Sequence, residues 1–140
     1  MLFVGQFEHS LDAKSRLFIP SKYRAELGPS FYVTRKTETC LAIYPEEAWI
    51  KLTEKLNNLP DSVVGPIKQF LYSKTVYVTP DAQGRIVLSA ELLAYAHIER
   101  DTVIIGVGDH LQIWSKPLWI EKDSTLSGEA LRDRLVEIGL

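Results

Sequence analysis

The chain has 140 residues, 46% of them hydrophobic, which suits one compact domain or two small interdependent halves and excludes a wholly disordered chain. Its formal net charge of −2 argues against bulk attraction to nucleic acid. The charge is uneven, however: residues 12–36 hold six cations (Lys14, Arg16, Lys22, Arg24, Arg35, Lys36) against Asp12 and Glu26, a local +4 that leaves −6 for the remainder.

In chain order, "FVGQFEHSL" reads as a first strand, followed by a turn from Asp12 to Arg16 and a second strand through "RLFIP", rich in strand-forming types. A short helix follows in "PSKYRAELG", with Pro20 suited to a first turn and Gly28 to the position after the last. "FYVTRKTETCLAIY" reads as a hairpin. The next helix starts at Pro45 and stops at Pro60, with Trp49, Leu52, Leu56 and Leu59 as an apolar stripe and Glu47 placed to pair with Lys51. A linker helix is predicted over roughly 65–73, offering Ile67, Phe70 and Leu71 on one side. The plan then begins again: strand "KTVYVTP", turn Asp81 to Arg85, strand "RIVLS", helix "SAELLAYAHI" with Ser89 as N-cap, and hairpin "VIIGVGDHLQIW" with Gly106 and Gly108 near its turn. Beyond Trp119 the chain turns polar, and "SGEALRDRLVEIGL" reads as an amphipathic tail around Leu131, Leu135 and Ile138.

This recurrence is an internal repeat of about seventy residues. Asp12 aligns with Asp81, Arg16 with Arg85, Leu17 with Ile86, Ile19 with Leu88 and Tyr23 with Leu92. Phe31–Val33 falls on Val103–Ile105, and "LAIYPEEAWI" falls on "LQIWSKPLWI". The chain therefore divides into a first repeat (5–47), a helical connector (48–75), a second repeat (76–119) and a C-terminal tail (120–140). Neither copy can bury much surface alone, so the two are expected to share one core about a pseudo-twofold axis.

An aspartate opening a turn can accept hydrogen bonds from N–H groups two or more residues on and so stiffen the loop. The arginine four residues after it presents a planar fork suited to phosphates or a guanine edge. Gly84 suits a residue with positive φ in the second loop, and Ser15 holds the equivalent place in the first. One Asp-x-x-x-Arg is most simply a solvated surface pair. Two in register, each followed by the same strand and helix, point to structural importance.

The stretches "LDAKSRLFIPSKYR" and "PDAQGRIVLSAEL", together with "LAIYPEEAW" and "LQIWSKPLW", resemble the MraZ family of bacterial transcriptional regulators over roughly residues 1 to 120. The resemblance implies an α+β, mainly β fold of tandem SpoVT/AbrB-like swapped-hairpin repeats. These would form one pseudo-twofold, β-barrel-like unit with flanking helices, assembled as a homo-oligomeric ring. It also implies binding to double-stranded DNA at repeated promoter boxes and repression of the protein's own division and cell wall operon. The family motif maps onto Asp12 and Arg16 and onto Asp81 and Arg85. Two departures stand out: Ser15 where the family usually has glycine, and Ser89 and Leu93 where the second copy usually has proline and a further arginine. With the charge count, Lys14, Arg16, Lys22 and Arg24 are expected to carry most DNA contact, with Arg85 supporting, while Asp12, Ser15, Asp81 and Gly84 shape the loops.

Two other classes of function compete. An enzyme is disfavoured because His9, His97 and His110 are scattered, Cys40 has no partner motif, and the carboxylates form no paired arrangement; no metal, cofactor or small-molecule substrate is expected. A partner-binding module of the antitoxin type, sharing the fold without DNA affinity, fits the net negative charge and the sparser second motif. The N-terminus lacks a basic leader and cleavage site, no run approaches the roughly 18 apolar residues of a membrane span, and the single cysteine excludes an intramolecular disulfide. A cytoplasmic, nucleoid-associated protein with no membrane partner is the expectation.

Overall fold

The computed structural model describes residues 2–140. In the first copy β1 (Gln6–Ser10), β2 (Arg16–Phe18), α1 (Ser21–Leu27), β3 (Phe31–Lys36) and β4 (Cys40–Pro45) follow in order. Then come α2 (Glu46–Asn57) and α3 (Asp61–Tyr72). The second copy supplies β5 (Val76–Val78), β6 (Arg85–Val87), α4 (Ala90–Tyr95), β7 (Asp101–Gly106), β8 (Leu111–Ser115) and α5 (Lys116–Ser124), and α6 (Glu129–Glu137) closes the chain.

The strands form a six-stranded antiparallel sheet in the order β1-β7-β8-β4-β3-β5 and a separate ladder of β2 with β6. The copies are interlocked, because β1 of the first pairs with β7 of the second and β5 of the second pairs with β3 of the first. Symmetry can be read from the register. Leu41 faces Ile113 and Ile43 faces Leu111, and the repeat exchanges these two pairs. Arg16 faces Val87 and Phe18 faces Arg85, which the repeat also exchanges, leaving Leu17 opposite Ile86 at the centre. A pseudo-twofold axis thus passes through the middle of both ladders.

The register also corrects one alignment. Phe31 pairs with Pro45 and Thr102 with Ser115, so Phe31 is equivalent to Thr102 and not to Val103. The one-residue shift matters because it exchanges the faces of a strand. Tyr32 and its true counterpart Val103 both pack outward against helices, and Val33 and Ile104 both point into the shared core.

That core lies between the sheet and the β2–β6 ladder, with α1 and α4 at its sides. Leu17 and Ile86 of the ladder, with Ile19 and Leu88 just beyond it, meet Phe31, Val33, Leu41, Ile43, Ile104, Leu111 and Ile113 of the sheet. The other face of the sheet is covered twice. Tyr32, Ala42, Tyr44 and Leu52 surround Trp49 of α2, and Cys40, Val103, Ile105 and Trp114 lie under Leu118 and Trp119 of α5. Covered on both faces, β4 is buried along its whole length and reads as a continuous apolar run, without alternation.

The helices differ in detail from the sequence reading. α2 ends at Asn57, three residues before Pro60, so Leu59 falls outside it and is exposed. The linker helix starts a turn earlier than predicted, at Asp61, and keeps Pro66 inside it. The N–H groups of Val63 and Val64 bond the Pro60 carbonyl, and Val64 is fully buried, which offsets the bond that Pro66 cannot donate. The divisions at 47/48 and 119/120 each fall within a helix, α2 and α5. Ser115 caps α5 by accepting from the Leu118 N–H at 3.2 Å, and Ser89 caps α4 likewise from Leu92. α6 buries no residue; Leu135 and Ile138 are exposed and Leu131 is partly covered.

Candidate functional site

Between β1 and β2 the first loop is organised by one carboxylate. Asp12 Oδ1 accepts from the backbone N–H groups of Lys14 and Arg16, each at 2.9 Å. Its Oδ2 takes the Arg16 Nε–H at 2.6 Å. The Ser15 N–H bonds the Asp12 carbonyl, and the Asp12 N–H bonds the Arg16 carbonyl, closing the turn. The second loop repeats this atom for atom. Asp81 Oδ1 accepts from the N–H groups of Gln83 and Arg85 at 2.9 Å, and Oδ2 takes Arg85 Nε at 2.9 Å. Ser15 and Gly84 occupy the same left-handed conformation, with φ of 58° and 79°.

These bonds set the ionisation of both aspartates. Desolvation raises the Asp12 pKa, but the Arg16 backbone N–H, the Arg16 side chain and the Lys14 N–H together outweigh it and hold the carboxyl below its ordinary value. At Asp81 the Arg85 N–H is the largest influence, and the outcome is again a lowered pKa. Both carboxylates are ionised at neutral pH, as an ordinary aspartate is, and the lowered pKa extends the charged form to more acid conditions.

The pseudo-twofold axis brings the loops together, since β2 and β6 start from them. Arg85 Nη1 lies 3.8 Å from Asp12 Oδ2, and Arg85 Nη2 donates to Gln83 Oε1 at 3.2 Å. Arg85 thus has acceptors near all three of its nitrogens. Arg16 is held at Nε alone among the described residues, which leaves both its terminal nitrogens unengaged.

The other predicted residues are placed differently. Lys14 is exposed at the tip of the first loop and forms no ion pair among the described residues. Lys22 is exposed on α1, its Nζ 4.8 Å from the centre of the Tyr23 ring. Arg24 does reach a loop, but the second one. Its Nε donates to the Ile19 carbonyl at 2.9 Å, its guanidinium carbon lies 5.7 Å from the Phe18 ring centre, and it packs against Gly84. Of the six cations in the basic block, Arg35 is drawn away: its Nε bonds the Phe70 carbonyl at 3.0 Å and its guanidinium sits 4.1 Å from the Phe70 ring centre. Sequence reasoning missed Phe18, which also meets His9 at 5.5 Å between ring centres. Its one signal was contrast with Val87, its smaller, exposed counterpart in the second copy.

Burial pushes the Cys40 thiol up to about 12, and Tyr44 is likewise pushed up to about 12. Among the described residues no group of three or more His, Cys, Asp or Glu side chains is arranged to hold a metal ion, and no helix is long and apolar enough to cross a membrane.

Interlocked hairpin repeats about a pseudo-twofold axis, each opening on an aspartate-ordered loop that presents an arginine, define the SpoVT/AbrB-like class of fold. A family model described as "MraZ protein, putative antitoxin-like" matches residues 2–63 and 71–136. Among curated relatives, Transcriptional regulator MraZ of Clostridium tetani is 38% identical over 142 residues, spanning 99% of this chain and 100% of that protein. The proteins of the same name from Clostridium acetobutylicum and Syntrophomonas wolfei are each 37% identical over 142 and 143 residues, with the same coverage. The chain belongs to the MraZ family.

Proposed function

We propose that this protein is a transcriptional regulator that binds double-stranded DNA through its two Asp-x-x-x-Arg loops. The observation that carries the reading is the loop geometry: each aspartate fixes its arginine by Nε, and at Arg16 this leaves the outer edge of the guanidinium to face a ligand. Such an edge can meet two phosphate oxygens or the O6 and N7 of guanine together. The curated relatives are named transcriptional regulators, which supports the same reading.

Within this reading the first loop dominates. Lys14 and Arg16 contact phosphate and base, Lys22 adds a flanking phosphate contact, and Arg85, tethered to Asp81, Gln83 and Asp12, supports them. Arg24, of the same basic block, holds its guanidinium against the Gly84 backbone. Several copies in a ring would engage repeated boxes at high effective concentration, so weak individual sites suffice. The finer reading is repression of the protein's own division and cell wall operon, at the nucleoid. Footprinting on the DNA upstream of its own gene tests it: evenly spaced protected boxes are expected. A partner-binding module of the antitoxin type would protect none.

A further inference from the structure

We propose that Arg24 is a positioning residue, which fixes the second loop from the first copy and does not itself touch DNA; this rests on the DNA-binding reading. Three contacts form a closed circuit. The Ile19 N–H donates to the Gly84 carbonyl at 2.9 Å, the Ile19 carbonyl accepts from Arg24 Nε at 2.9 Å, and the guanidinium returns to lie flat against Gly84. A Cβ on Gly84 would stand 2.6 Å from both Nε and Cζ of Arg24 and 3.0 Å from Nη2. The approach is therefore possible only because residue 84 has no side chain, and Phe18 backs the guanidinium at 5.7 Å.

The second copy holds the control. The pseudo-twofold equivalent of Ile19 bonded to Gly84 is Leu88, whose N–H donates to the Ser15 carbonyl at 3.1 Å. The equivalent of Arg24 is Leu93, buried and unable to donate. At the positions related by the repeat, leucine at 93 goes with serine at 15, and arginine at 24 goes with glycine at 84. The two copies differ at both positions together, in keeping with the direct packing of Arg24 on Gly84. A cation set here for phosphate would need no such match.

The test compares Arg24→Leu, Arg24→Lys, Gly84→Ser and the double variant Gly84→Ser/Arg24→Leu. Affinity for upstream duplex DNA is measured at several salt concentrations, alongside melting temperature. Lysine keeps the charge but not the planar fork, so both Arg24 variants should weaken binding several-fold with the salt slope unchanged. Gly84→Ser alone should weaken binding by roughly tenfold or more, and the double variant, which removes the guanidinium that the new Cβ would meet, should recover most of it. The proposal is overturned if Arg24→Leu lowers the slope by about one while Arg24→Lys binds as wild type, since that is the signature of a phosphate contact. If wild type binds no DNA, the functional reading falls. Melting temperatures then decide the packing claim alone: a Gly84→Ser penalty abolished by Arg24→Leu supports it, and additive penalties overturn it.

Discussion

Arg16 and Arg85 share one motif but not one state. Among the described residues Arg16 keeps a single acceptor and two free nitrogens, and Arg85 has an acceptor near each nitrogen. Releasing Arg85 to a ligand would cost the Gln83 bond, so equal engagement of the two loops is not expected. The aspartates could be singled out from sequence because the repeat placed them in register. The role of Arg24 could not, because its partner is sixty residues away in the other copy and charge counting treats every cation in a block alike. The pH dependence of the loops follows from the lowered pKa values of Asp12 and Asp81, whose ordinary value is 3.8. A carboxyl whose folded pKa is depressed stabilises the fold above the unfolded value, and that contribution is lost as pH falls through the folded one. Loop stability should therefore be flat from neutrality to about pH 5 and fall below about pH 4. Melting temperature against pH checks this, with Asp12→Asn/Asp81→Asn showing a shallower acid limb.

At the scale of elements, the short β2–β6 ladder is what joins the loops to the core. Leu17 and Ile86 face each other at its centre and are both buried, so neither loop is independent of the other. Truncation there leaves a cavity under both loops. Ile86→Ala is predicted to cost about 2–5 kcal/mol by urea unfolding, and a loss well under 1 kcal/mol would mean the ladder is not part of the core. Strand and helix types were legible from period and caps: Ser89 caps α4 as read and Trp49, Leu52 and Leu56 line α2, whereas Pro20 stands at the N-cap of α1, one residue before the first turn where it was expected. The alignment of Phe31 with Val103 failed for a physical reason. Strands buried on both faces give unbroken apolar runs, so sequence carries no face information there and only the ladder register reveals the shift to Thr102. The end of α2 was missed similarly, since Leu59 fits the helical stripe but lies beyond Asn57.

For the whole molecule, interlocking means that neither repeat owns a complete sheet. Each half gives its first strand to the other, and the central β4–β8 pair joins them. A chain of residues 1–74 expressed alone is predicted to lack the far-ultraviolet signature of the intact protein, and a folded, monomeric half would contradict the shared core. The same interlock holds the two loops side by side, with Arg85 Nη1 3.8 Å from Asp12 Oδ2. One duplex would then meet both loops as one surface. The most direct test of the central claim is the affinity of wild type, Arg16→Ala and Arg85→Ala for upstream duplex DNA as a function of salt. Wild type should weaken steeply with salt, Arg16→Ala should lose about 1–3 kcal/mol with its slope reduced by about one, and Arg85→Ala should lose less. Binding by folded Arg16→Ala as tight as that of wild type at the same salt would contradict the account.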